Sequence, residues 1–172
     1  ARVYRFNGKS WIEDSTPLTY FGSTQGPPGH DQQLGRAVEL SEGTVAVAST
    51  RSVYIFDVST EKPTPVQHLQ LNGDWPSPGS LALEGNRLVT PVEMYNWGTD
   101  DLGAQIFEFD GSEWIPTGVI APFDITGSDY AGYIIDLEGD RILMTSPRDS
   151  DLGVSTGSAY IWDYIDSEWV FS

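Results

Sequence analysis

One short pattern returns four times along this chain of 172 residues, and it limits the fold more than any other feature. It runs Ala1-Arg-Val-Tyr-Arg-Phe-Asn-Gly-Lys-Ser-Trp11, then more weakly Val53-Tyr-Ile-Phe-Asp-Val58. It returns as Ala104-Gln-Ile-Phe-Glu-Phe-Asp-Gly-Ser-Glu-Trp114 and as Ala159-Tyr-Ile-Trp-Asp-Tyr-Ile-Asp-Ser-Glu-Trp169. The copies start at 1, 53, 104 and 159, a spacing of 52, 51 and 55 residues. A fixed period of this size marks an array of like units, such as a solenoid or a propeller.

Within each copy, apolar and polar residues alternate on a two-residue beat, which is the beat of a strand with one buried face. Asn7-Gly8 and Asp110-Gly111 break that beat. These dipeptides are strong hairpin signals, because a type I′ turn needs positive φ at both central residues. The last copy has Asp166 where the first and third have the turn's Gly, so its turn should differ slightly.

A second hairpin precedes each of the last three copies, with turns at Glu42-Gly43, Gly85-Asn86 and Gly139-Asp140. The strands that follow, Val45-Ala-Val-Ala48 and Ile142-Leu-Met144, have little polar relief and read as fully covered inner strands. One unit is therefore two hairpins, or four strands. No stretch carries a helical period, and 11 Pro and 18 Gly would punctuate any long helix. The expected fold is all-β: a β-propeller of four-stranded antiparallel blades. The expected units are a half blade at 1–26 and blades at 27–70, 71–121 and 122–172, about three and a half in all. Residue 1 falls in mid-unit and residue 172 at a unit's end. The expectation is a segment of a larger propeller, or an array closed by a partner, since an open blade edge is normally avoided.

The charge narrows the partners. With 25 acidic and 9 basic residues the formal net charge is −16. Such a chain repels phosphates and anionic membranes, so neither nucleic acid nor membrane insertion is expected. Cys is absent, which removes disulfides and Cys-based zinc sites. The two histidines, His30 and His68, are expected as solvated or loop residues, in no arrangement that would activate a nucleophile. No spacing singles out a carboxylate pair, and no phosphate-binding Gly loop occurs. The chain is expected not to be an enzyme.

At these repeats the chain resembles the FG-GAP propeller repeats of integrin alpha subunits and of many secreted proteins. The motif is carried by Tyr130-Ala-Gly-Tyr133, by Gly139-Asp-Arg-Ile-Leu-Met-Thr-Ser-Pro147, by Arg148-Asp-Ser-Asp-Leu-Gly153 and by Gly157-Ser-Ala-Tyr-Ile-Trp162. The unit before keeps Pro91, Thr99-Asp-Asp-Leu-Gly103 and Ala104-Gln-Ile-Phe107; the first keeps Leu34-Gly35 and Val53-Tyr-Ile-Phe56 without an acidic loop. The resemblance implies an extracellular or cell-surface protein. It also implies calcium in the loop between the second and third strands of a blade. Asp149, Asp151 and Ser155 would be the ligands, with Asp100 and Asp101 as a weaker pair. Calcium takes six to eight oxygens, and this loop lacks the third acid of the full pattern. A solvated acidic turn is the other reading of the same residues.

Trp75, Tyr95 and Trp97 fall outside the strand pattern and are expected in loops. There they would contact a ligand or interface, or else fold back as caps over the blade ends. The function expected is a non-catalytic extracellular module for adhesion or recognition, binding a protein or glycan. The alternative is a structural subunit of a filament, sheath or surface appendage, in which the chain binds copies of itself.

Overall fold

The computed structural model describes residues 2–14, 17–18, 33–72, 79–96, 99–125 and 129–172. It is all-β. The first copy of the repeat forms a two-stranded ribbon, β1 (Tyr4–Phe6) and β2 (Trp11–Glu13). Three four-stranded antiparallel blades follow, each a meander in chain order. The first blade is β3 (Val38–Ser41), β4 (Thr44–Ala48), β5 (Ser52–Asp57) and β6 (Thr64–Gln70). The second is β7 (Ala82–Glu84), β8 (Arg87–Asn96), β9 (Thr99–Phe109) and β10 (Trp114–Ile120). The third is β11 (Ile135–Glu138), β12 (Arg141–Ser146), β13 (Ser158–Ile165) and β14 (Glu168–Phe171). The inner strands touch in sequence, β3 on β7 and β7 on β11, so the blades fan out from their first strands as in a propeller.

Alternation gives every blade two working faces. In β4 and β5, Ala46, Ala48, Val53 and Ile55 point forward to the second blade, while Val45, Val47, Tyr54 and Phe56 point back. Val3 of the ribbon, Leu18 and Val58 complete that rear cluster. The second blade meets the first with Leu88, Phe107 and Trp114, and meets the third with Val89, Ala104 and Ile106. The third answers with Ile142, Met144, Tyr160 and Trp162. Each interface is thus one sheet face on another, the arrangement that lets a two-faced sheet bury both sides.

The strand beat predicts a core of Val3, Phe6, Val45, Val47, Ile55, Leu88, Ile106, Phe107, Ile142, Met144, Ile161 and Trp162; all but Val3, Phe6 and Ile161 are buried, and Val3 is half-buried. Phe6 and Ile161 depart from it, and so does Leu143 within the strand expected to be fully covered: all three side chains are exposed. The period places them correctly on a strand face, but among the described residues no blade lies against those two faces.

The turns are of three kinds, and in Gly85-Asn86 and Gly139-Asp140 only the Gly has positive φ. Glu42-Gly43 and Asp166-Ser167 have positive φ at both central residues, the type I′ signature. Asn7-Gly8 and Asp110-Gly111 do not. They open four-residue turns in which the Asn7 and Asp110 N–H groups donate to the carbonyls of Ser10 and Glu113. The Asn7 Oδ1 accepts from the Lys9 and Ser10 amides, and the Asp110 Oδ1 from the Ser112 and Glu113 amides. The side chain caps the turn, so only the Gly requires positive φ.

Blades are also tied by polar bonds at their inner ends. The Gly85 amide donates to the Ser41 hydroxyl at 3.0 Å, and one blade later the Gly139 amide donates to the Glu84 carboxylate at 2.6 Å. Gly132 sits where backbones crowd. Its φ is +80°, and a Cβ there would lie 3.2 Å from Pro91 and 3.3 Å from the Gly103 carbonyl. Only Gly allows the third blade's entry to come this close to the second.

Candidate functional site

The loop at 147–157 joins β12 to β13 and holds Asp149, Asp151 and Ser155. Its foot is Asp149, an acid buried at the blade's end. The Tyr160 hydroxyl donates to Asp149 Oδ2 at 2.6 Å, and the Asp151 amide donates to Oδ1 at 2.9 Å. The Gly157 amide closes the loop onto the Asp149 carbonyl at 3.0 Å. A buried carboxylate is stable only with such donors. They hold Asp149 below the usual carboxylate range, with the hydroxyls of Ser158 and Tyr160 the main cause and backbone amides adding to them. Burial pushes the Tyr160 phenol well up, and its bond to Asp149 pushes it further. The same hydroxyl lies 3.2 Å from Asp124 Oδ1. Asp151 moves the other way: its carboxyl is raised, mainly by the charge of Asp149.

Above this foot the loop is held by its own bonds. The Ser155 amide donates to the Ser150 hydroxyl at 3.0 Å, and the Gly153 amide to the Ser150 carbonyl at 3.2 Å. Ser155 takes a positive φ of 50°. The frame lifts two aliphatic side chains into solvent, Leu152 at 92% and Val154 at 94% exposure. Beside it, the Arg148 guanidinium covers the Tyr130 ring at 4.2 Å.

Asp149 and Asp151 are thus neighbours, as the sequence implies, while Ser155 is tied to Ser150 through its amide. The arrangement does not fit a calcium ion. Each Asp149 oxygen accepts one protein hydrogen bond, and calcium needs six to eight converging oxygens, more than two neighbouring carboxylates supply. Among the described residues no three His, Cys, Asp or Glu side chains are grouped to hold a metal ion. Asp100 and Asp101 are not in a loop: they lie in β9, paired with Tyr95 and Met94 of β8. Tyr95 is therefore a strand residue as well. The register set by Leu88 opposite Phe107 runs on unbroken to Asn96 opposite Thr99, lengthening the hairpin past its expected end. Trp75 and Trp97 lie outside the described residues, as does His30.

His68 is an exposed strand residue of β6, solvated rather than in a loop. Its ring stacks on Tyr54 with centroids 4.6 Å apart, and its Nε2 lies 2.7 Å from the Ser52 hydroxyl. Ser52 is wholly buried, while His68 is exposed, as expected of a solvated histidine. The missed signal was positional: Tyr54 and His68 face each other across β5 and β6, a pairing visible only once the register is known.

No family model matches the chain, and no curated protein does. Solved structures align with it at low similarity. The N-terminal domain of Nup159 aligns with a TM-score of 0.39 at 14% identity, over 92% of this chain and 51% of that one. A Saccharomyces cerevisiae complex of a Dbp5 variant bound to Nup159, a Gle1 variant, IP6 and ADP aligns with a TM-score of 0.29 at 16% identity, over 92% of this chain and 50% of that one. The chain spans about half the length of these solved chains.

Proposed function

We propose that the chain is a non-catalytic recognition module of the FG-GAP type, displayed outside the cell, which binds a protein ligand through the loop at 147–157. The observation that carries this reading is the pair Leu152 and Val154, almost fully exposed on a loop fixed by a buried acid. Aliphatic side chains on a frame ordered in advance lose little entropy on binding, which favours affinity. Asp151 and Ser155 flank them, and with the net charge of −16 they suit an apolar pocket with a basic rim. The test is a binding screen of this chain against purified cell-surface ectodomains, run beside the double variant Leu152→Ser with Val154→Ser. Binding by the parent that falls at least tenfold in the variant, at an unchanged melting temperature, supports the reading. Equal binding by both chains, or no binding by either, overturns it.

A further inference from the structure

The backbone of Arg148 helps to order the loop at 147–157, but its side chain takes no part in that work. Its amide donates to the Asp129 carbonyl and its carbonyl accepts from the Ser150 hydroxyl, both at 3.2 Å. The exposed guanidinium lies instead over the Tyr130 ring, at 4.2 Å from the centroid, and that ring is itself 44% exposed. The pair stands at the joint between the second and third blades. Tyr130 is two residues from Gly132, which abuts Pro91 and the Gly103 carbonyl of the second blade.

The backbone beneath the pair is fixed. The Asp129 carbonyl also accepts from the Ser146 hydroxyl at 2.8 Å. Tyr130 then takes a φ of 59°, in the left-handed region that few bulky residues enter. Gln33 holds the same place before Leu34-Gly35 of the first blade, with a φ of 63°, so the bend belongs to the blade's entry. The side chain presented there is what differs. In the first blade it is an amide bonded to Arg36; in the third it is a ring beneath a guanidinium. Charge sets that guanidinium apart. Arg2, Arg5, Arg87 and Arg141 each pair with a carboxylate. Among the described residues Arg148 has no acid partner, in a chain with 25 acids.

We propose that Arg148, laid over Tyr130, receives a carboxylate side chain of the protein ligand that packs on Leu152 and Val154, so that the site selects an acidic residue beside aliphatic ones. This rests on the reading of the loop at 147–157 as the ligand-binding loop. A guanidinium stacked on a ring keeps its planar fork of donors for a carboxylate. Stacking has already restricted the side chain, so less freedom is lost on binding. A carboxylate suits the place better than a phosphate, because the net charge of −16 repels a dianion more strongly than a single charge. The basic rim that faces Asp151 would then carry one acid, set against Arg148, which fixes the orientation of the ligand.

The experiment is selection of short random peptides, displayed on phage, by the parent chain, by Arg148→Glu and by the double variant Leu152→Ser with Val154→Ser. The parent should enrich Asp or Glu at a fixed spacing from aliphatic residues. Arg148→Glu should enrich Lys or Arg in that place and keep the aliphatic residues, an exchange of sign that a merely structural role would not give. The double variant should lose the aliphatic preference. For the best acidic peptide, replacing its acid by Gln and making Arg148→Gln should each cost at least tenfold in affinity, and both together little more. Peptides that lose affinity for the double variant but keep it for Arg148→Gln overturn the proposal and leave the loop reading standing. Peptides that need Arg148 yet bind the double variant as they bind the parent keep the carboxylate contact and overturn the loop reading. Enrichment of nothing by the parent overturns the proposal, with the loop reading left to the ectodomain screen. Arg148→Glu sets a new acid beside Asp149. If it fails to fold, Arg148→Gln replaces it in the selection, and should lose the acidic preference at the parent's melting temperature.

Discussion

Ile106 and Trp11 show at the residue scale how one strand pattern yields unequal consequences. Ile106 is wholly buried between the second and third blades. Ile106→Ala, like Ile142→Ala, is expected to cost about 2–5 kcal/mol in chemical denaturation, the usual loss for a buried aliphatic that leaves a cavity. Trp11→Ala should change monomer stability by about 0.5 kcal/mol or less, because its ring is already in water. Tyr160→Phe removes the hydroxyl that holds Asp149, and should cost about 1.5–3 kcal/mol at neutral pH, the usual range for a bond to a charged group. The pH dependence has a fixed sign. The folded pKa of Asp149 lies below its unfolded value, so the unfolded chain binds more protons and stability rises with pH. That contribution is complete above the ordinary carboxylate range and is lost as pH falls through the depressed folded value. The gap in melting temperature between parent and Tyr160→Phe should therefore shrink below about pH 4. A gap constant down to pH 2 would show that Asp149 is not the partner that matters.

Hairpins and the joints between them form the element scale. Gly8 and Gly132 both have positive φ, +93° and +80°. A Cβ on Gly8 meets open space, while one on Gly132 meets Pro91 and the Gly103 carbonyl. Gly8→Ala should then cost only its backbone strain, of order 1–3 kcal/mol. Gly132→Ala should cost more, because the third blade must also back away from the second. Thermal melts of the two variants check this, and equal losses would contradict the close approach. The edge strands β6 and β10 use another device. Each carries a register shift beside a proline, Pro65 opposite Phe56 and Pro116 opposite Phe107. Proline has no N–H for a ladder and is tolerated at edges and bulges.

For the whole molecule, acidity is the main strain. Glu39 on an inner strand has its carboxyl pushed up, first by burial and then by the charge of Asp136 on another inner strand. Its folded pKa lies above the unfolded one, so its contribution is favourable below the unfolded value and is lost as pH rises through the folded value. Glu39→Gln should raise the melting temperature at pH 7 and lose that advantage below about pH 4, where the carboxyl is protonated in both states. Calcium in the millimolar range should leave the melting temperature unmoved beyond the effect of matched magnesium. A calcium-specific rise that disappears in Asp149→Asn would instead make the loop at 147–157 a cation site.

The repeat alone determined the all-β class, the four-stranded unit and the hairpin turns at Asn7-Gly8, Glu42-Gly43, Gly85-Asn86, Asp110-Gly111 and Gly139-Asp140. These depend on local rules: a two-residue period, and turn residues that interrupt it. The resemblance to FG-GAP repeats, not these rules, marked Asp149 and Asp151 as a pair. Local rules do not say what a carboxylate meets. Tyr160 lies 11 residues beyond Asp149 and becomes its proton donor only when β13 pairs with β12. Nor do they say which of two chemically equal faces is covered. Phe6 and Phe109 hold the same place in the repeat, yet Phe109 packs against the first blade and Phe6 meets solvent. Burial is a property of what lies opposite, and stacking of blades far apart in the chain decides it. The extended β8–β9 hairpin that takes in Tyr95 is likewise a matter of register, which propagates along paired strands past the point where composition suggests a loop.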